Sequence, residues 1–235
     1  MLPHLTDQAP VLAFDRPGYD GISEPGGIET SARATVARLD AEGIERATIV
    51  GLSFGGGVAA WIAAHDPERV RALVLISAAA NRAALLPVDR FLAAPVVGRL
   101  ASGALVSGLG LALSSRRFRE RFAARHGIPA DFLHVTGERM RTGSARRAFL
   151  VEQRAMLEEL PVLEELLPTI TAPTTVIVGT ADSIVGAESG RLLATQIPDA
   201  TLVEIQGGSH TLSATHGPRV AELILNAMAA ATQTR

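Results

Sequence analysis

Five short runs confine this chain to few architectures: 11-VLAF-14, 47-ATIV-50, 72-ALVLIS-77, 174-TTVIVG-179 and 201-TLVEIQ-206. They are rich in β-branched residues and mostly apolar at consecutive positions. A strand with one wet face alternates polar and apolar residues. Strands that lack this alternation need cover on both faces, as in a parallel sheet between helix layers. Between the runs lie helical periodicities at 29-ETSARATVARLDAEG-43, 56-GGVAAWIAAH-65, 188-ESGRLLATQI-197 and 218-PRVAELILNAMAAA-231. The second stops before Asp66-Pro67, and the last opens with Pro218 in its first turn. The alternation predicts an α/β fold with a mostly parallel sheet flanked by helices.

The rhythm breaks between about residues 79 and 168, which hold no convincing strand and 13 of the chain's 22 Arg. The core is therefore expected from 1–78 and 169–235, with 79–168 inserted as a helical unit. Within it, 116-RRFRERFAARHG-127 has the pattern of a basic amphipathic helix. Acidic residues are interleaved through the insertion, so a solvated helix face is expected rather than a nucleic-acid patch. The apolar stretch 100-LASGALVSGLGLALSS-115 lies between Arg99 and Arg116 and is interrupted by Ser and Gly. It is shorter than the ~20 residues that a spanning helix needs. No membrane span is expected, and the stretch is read as a buried or pocket-lining helix.

Composition narrows the chemistry. The chain has no Cys, which removes disulfides, thiolate metal sites and thiol nucleophiles. A formal net charge of -2 gives no global drive toward nucleic acid or an anionic membrane. Every basic side chain apart from His is Arg, a coding bias expected of a GC-rich bacterial genome. The first residues, MLPHLTDQAP, lack the basic and apolar regions of a signal peptide, so a cytoplasmic location is expected.

Against this background, 51-GLSFG-55 stands out, because it directly follows a strand pattern and directly precedes a helix pattern. A serine on so sharp a strand-to-helix turn is forced into a strained backbone. Gly51 and Gly55, two residues to either side, are expected to relieve the crowding, with Leu52 completing the turn. A helix N-terminus also offers backbone N–H groups to a developing oxyanion, Phe54 N–H first among them. A phosphate-binding loop is the competing reading. It is disfavoured because G-x-G-x-x-G does not occur and the chain has no Lys.

A serine hydroxyl needs a base, and the base needs an orienting carboxylate. Asp182, in 180-TADSIV-185, and His210, in 207-GGSHTL-212, each follow a predicted strand. That is the sheet edge where α/β folds gather ligands, and the order Ser, Asp, His fits this type of turn. Other candidates are weaker. His216 sits beside Gly217-Pro218 at a helix start, Asp199 in a turn and Glu204 inside a strand. His4, His65, His126 and His134 show no paired metal-ligand spacing.

With these residues in place, the chain resembles the α/β-hydrolase family along nearly its whole length. The resemblance rests on GLSFG at 51–55, DRPGYDGIS at 15–23, GTADSIV at 179–185 and GGSH at 207–210. It implies Ser53 as nucleophile, Asp182 as triad acid, His210 as base, Phe54 N–H as an oxyanion donor and no metal or organic cofactor. It also makes 79–168 a cap, whose stretch 92-LAAPVVGRLASGALVSGLGLAL-113 would line a pocket for a small apolar ester or related carbonyl compound. A Ser nucleophile sets the chain apart from members that use Asp. Asp20 stands where the loop motif usually has Gly.

Family members usually carry three strands before the Asp-Arg-Pro-Gly loop, and the third ends in a His-Gly turn that supplies a second oxyanion donor. Only about ten residues precede VLAF here, and that donor is absent from the sequence. Loss of one donor costs ~10²–10³ in turnover. The expectation is that the sequence starts inside a longer parent, with a gap between the strand at 11–14 and that at 47–50. The activity expected is hydrolysis of a carboxylic ester through an acyl-enzyme. C–C bond hydrolysis and cofactor-free perhydrolysis by the same triad stay open, as does a non-catalytic binding protein or inactive remnant.

Overall fold

The computed structural model describes residues 1–94 and 96–233. A short helix α1 (Leu2–Thr6) and a helix α2 (Ile28–Ala41) precede β1 (Ala47–Leu52), which turns at Ser53 into α3 (Phe54–His65). Strand β2 (Val70–Ile76) is followed by five helices: α4 (Pro87–Ala93), α5 (Val97–Ser114), α6 (Arg116–His126), α7 (Ala130–Met140) and α8 (Gly143–Leu166). The chain then completes β3 (Thr174–Gly179), α9 (Ala187–Gln196), β4 (Thr201–Ile205), α10 (Leu212–Thr215) and α11 (Gly217–Gln233).

Among the described residues the strands form one sheet in the order β1-β2-β3-β4, and every pairing is parallel. Val50 lies opposite Val74, Leu75 opposite Val176, and Val178 opposite Glu204. The strict two-residue alternation of side chains then sorts β2 into two cores. Leu73 and Leu75 face Ile62, Leu160, Leu163 and Leu193, from helices α3, α8 and α9. Val74 and Ile76 face Leu5, Leu212, Val220 and Ile224, from α1, α10 and α11. Both faces are covered, and this is why the strands read as unbroken apolar runs.

One predicted strand is not one. Residues 11–14 run without strand pairing, so VLAF does not join the sheet. Val11 and Phe14 are each about two-fifths exposed, and only Leu12 packs against the core. The expected central gap is absent for the same reason, and β1 is an edge strand. Four apolar residues satisfy a strand pattern without a neighbouring ladder to hold them.

A second correction concerns α5. Its inward face carries Gly98, Ser102, Val106, Gly110 and Leu113, while Leu100, Leu105, Leu109 and Leu111 point outward. The expected buried helix is thus buried mostly on its small residues. Gly98 and Gly110 explain the choice. An added Cβ at Gly98 would collide with the α4 backbone at Leu92, and one at Gly110 would meet Gly137 O of α7 at 3.0 Å. Pro95, inside the stretch expected to line a pocket, lies outside the described residues.

Candidate active site

The β1–α3 turn is made by conformation before chemistry. Ser53 has φ 53 and ψ -124, one of three non-glycine residues with positive φ among those described. Such a conformation costs a residue with a side chain about 1–3 kcal/mol and persists only where its surroundings enforce it. Here Ser53 N–H donates to Ile76 O at 3.0 Å, and Ser53 O accepts from Gly56 N–H at 2.8 Å and Ala79 N–H at 2.9 Å. The turn is thereby tied to β2 and to the start of its own helix.

Glycine is required at two places. A Cβ on Gly51 would lie 2.7 Å from Gly55 C and Gly56 Cα, so the turn could not close. A Cβ on Gly56 would lie 2.8 Å from Ala78 Cα. The steric demand expected at Gly55 is not found, since an added Cβ there would meet only Arg16 Nη1, at 3.9 Å. Phe54 is the first residue of α3, so its N–H has no intrahelical acceptor.

Asp182 lies three residues beyond β3, and His210 five beyond β4, both at the C-terminal sheet edge that also holds Ser53. His210 Nε2 is 3.0 Å from Ser53 Oγ, and His210 Nδ1 is 2.9 Å from Asp182 Oδ2. Three residues from three loops therefore form one continuous chain of hydrogen bonds. The other oxygen, Asp182 Oδ1, accepts from Ile184 N–H at 2.9 Å and Val185 N–H at 3.1 Å.

Those bonds fix the carboxylate's state. Burial raises the Asp182 pKa, but the hydrogen bond and charge of His210 and the two backbone N–H groups outweigh it, bringing it down to about 2. Asp182 is ionised at neutral pH, and the carboxylate holds the His210 Nδ1–H, leaving Nε2 free to accept from Ser53. His216, the nearby competitor, instead pairs its Nδ1 with Thr215 Oγ1 at 2.9 Å. Asp199 sits in its turn with φ 53. Among the described residues no cluster of three or more His, Asp or Glu side chains converges to hold a metal ion.

A second polar cluster adjoins the turn and was not anticipated from sequence. Arg16 donates through Nε and Nη2 to Glu152 Oε1 at 3.0 and 2.7 Å, and Tyr19 Oη donates to Glu152 Oε2 at 3.0 Å. The Arg16 guanidinium lies 5.1 Å from the Phe54 ring centroid and 5.2 Å from that of Tyr19. Burial raises the Glu152 pKa, against the lowering effect of Arg16 and Tyr19. The partners lie 136 and 133 residues from Glu152, a separation with no local pattern to betray it.

A family model of the α/β hydrolase fold matches residues 1–216. The chain belongs to the α/β-hydrolase family. This α/β hydrolase is 28% identical to a pimeloyl-[acyl-carrier protein] methyl ester esterase of Neisseria meningitidis serogroup C, over 95% of this chain and 84% of that protein. It is 30% identical to a 2-hydroxymuconate semialdehyde hydrolase of Pseudomonas putida, over 94% of this chain and 77% of that protein. A solved hydrolase from Pseudomonas aeruginosa superposes with a TM-score of 0.67 at 26% identity, covering 95% of this chain and 81% of that one. A thermophilic esterase from Thermogutta terrifontis shares the fold with a TM-score of 0.71 at 22% identity, over 92% of this chain and 78% of its own. The N-terminal segment, α1 through the Arg16 loop, falls within the matched family region despite contributing no strand.

Proposed function

We propose that this α/β hydrolase cleaves a carboxylic ester by an acyl-enzyme route, with Ser53 as nucleophile, His210 as base and Asp182 as orienting acid. The observation that carries the reading is the unbroken hydrogen-bond chain from Ser53 Oγ through His210 to Asp182. Ser53 Oγ attacks the ester carbonyl as His210 Nε2 takes its proton. The tetrahedral oxyanion is met by Phe54 N–H. Collapse expels the alcohol, which leaves with the proton held on His210. A water then repeats the sequence on the acyl-enzyme, and the carboxylic acid departs. Asp182 stays ionised throughout and stabilises the imidazolium.

The helices between β2 and β3 serve, in this reading, as the cap that shapes the substrate site. Arg16, held by Glu152 of α8 against Phe54, links that cap to the turn. The ester preference is supported by the methyl ester esterase among the relatives. C–C bond hydrolysis is the second reading, supported by the similarity to a 2-hydroxymuconate semialdehyde hydrolase. A fluorophosphonate probe tests the shared nucleophile: labelling is expected in the parent protein and absent in Ser53→Ala. A folded parent that never labels refutes both readings. A p-nitrophenyl ester panel of rising acyl length, run beside a vinylogous β-diketone, then separates ester from C–C cleavage.

A further inference from the structure

Helix α5 turns an apolar side outward. Leu100, Ala104, Gly108 and Leu111 recur at helical spacing along its exposed side, with Leu105 and Leu109 beside them. Leu100 is 69% and Leu111 66% exposed. Val96, just before α5, is 72% exposed, and Phe91 of α4 is 53% exposed. Isolated exposed leucines are ordinary, but several on one uninterrupted helix face mark a surface meant to be covered.

Charge selects the occupant. From the start of α4 to the end of α6, residues 87–126 contain Arg90, Arg99, Arg116, Arg117, Arg119, Arg121 and Arg125 against Asp89 and Glu120, which gives 7 - 2 = +5. With a total of -2, the rest of the chain carries -2 - 5 = -7. Arg90 and Arg117 are exposed and make no ion pair among the described residues. Arg146 of α8 reaches the flank of α5, donating to Ser107 Oγ at 3.1 Å. A second copy set face to face on this surface would oppose like charges. An anionic surface would attract this side of the molecule and repel the remainder, fixing orientation as well as contact. Apolar side chains beside Arg, on a helix too short and too interrupted to span, are the signature of a helix that lies in a membrane interface. No helix among the described residues is long and apolar enough to cross a membrane.

We infer that the α4–α5 face is a docking surface for an anionic lipid bilayer, with α5 lying along the headgroup boundary. The inference does not rest on Ser53, and its test needs no turnover. The full chain is mixed with vesicles of phosphatidylcholine, with and without phosphatidylglycerol as a minority component, and centrifuged. It is expected to pellet with the anionic vesicles, to stay in solution with phosphatidylcholine alone, and to be released by high salt. Leu100→Ser with Leu111→Ser, and separately Arg90→Gln with Arg117→Gln, are each expected to lower the bound-to-free ratio about tenfold or more. The substituted side chains are exposed, so circular dichroism and the unfolding midpoint should stay at parental values. Protein that remains in the supernatant with anionic vesicles overturns the inference. So does a stable dimer in vesicle-free buffer that Leu100→Ser with Leu111→Ser dissociates, because the occupant would then be a second copy.

Discussion

Replacing Asp182 with Asn tests the proposed chemistry at its least ambiguous point. The substitution keeps size and shape but makes one side of the group a donor. Asp182 Oδ1 accepts from Ile184 and Val185 N–H, so the amide oxygen of the variant must remain there. Turning the amide over would present NH₂ to two backbone N–H groups and leave both unpaired, at a cost of about 1–3 kcal/mol each. The NH₂ therefore faces His210 Nδ1, now 2.9 Å from a donor instead of an acceptor. His210 must switch to the tautomer protonated at Nε2. That nitrogen then donates to Ser53 Oγ and no longer accepts its proton. In a serine triad a wrong tautomer of this kind costs about 10⁴ in kcat, or about 5.5 kcal/mol of barrier. Stopped-flow release of p-nitrophenol from an activated ester isolates the acylation step. The burst rate should fall by about that factor while KM changes little and the far-UV circular dichroism stays parental; the unfolding midpoint should drop by no more than the stability the ionised carboxylate supplies. A variant acylating within tenfold of the parent, in the same fold, would refute the tautomer argument and with it the role assigned to Asp182.

The same carboxylate makes stability depend on pH. Its folded pKa, about 2, lies below the ordinary 3.8, so the unfolded chain takes up the proton first as pH falls. The contribution, about 2 kcal/mol, is complete above about pH 4 and lost by about pH 2. Urea unfolding across that window should be less steep in pH for Asp182→Asn, and equal slopes would contradict the assignment. Glu152→Ala strips Arg16 and Tyr19 of their shared acceptor. Arg16 keeps 32% side-chain exposure, so water offsets part of the loss. The expected destabilisation is about 1–3 kcal/mol by denaturant titration, and a value indistinguishable from zero would show that the cluster is incidental.

What the sequence discloses depends on how far each interaction reaches along the chain. The four strands of the sheet were readable because a parallel strand covered on both faces must be apolar at consecutive positions. VLAF at 11–14 met that pattern and failed, since a strand is completed by a neighbour that the run itself does not encode. Ser53, Asp182 and His210, the residues proposed as the triad, could be singled out in the sequence because each occupies a loop just after a strand, where local rules converge on one edge. Glu152 was invisible: it looks like any acidic residue on a charged helix until folding sets it against Arg16 and Tyr19. Which face of α5 is buried is hidden for a related reason. Its Leu content argues for burial, whereas Gly98 and Gly110 set which side can approach α4 and α7, and only the assembled neighbours reveal that choice.

Helix α8 carries a consequence for how such a protein can change. Its later turns place Leu160 and Leu163 in the core beneath the sheet, while Gly143 and Ala145 at its other end belong to the inserted helices. The chain leaves the sheet after β2 and is returned to β3 by this one rod. On the cap reading proposed above, exchange of the helices from α4 to α7 is expected to leave the strand ladder in place, provided that the rod and Glu152 upon it are kept. On the same reading, a graft of another protein's helices between about residues 87 and 140 is expected to keep the edge that holds Ser53, Asp182 and His210, with selectivity rebuilt as a replaceable part.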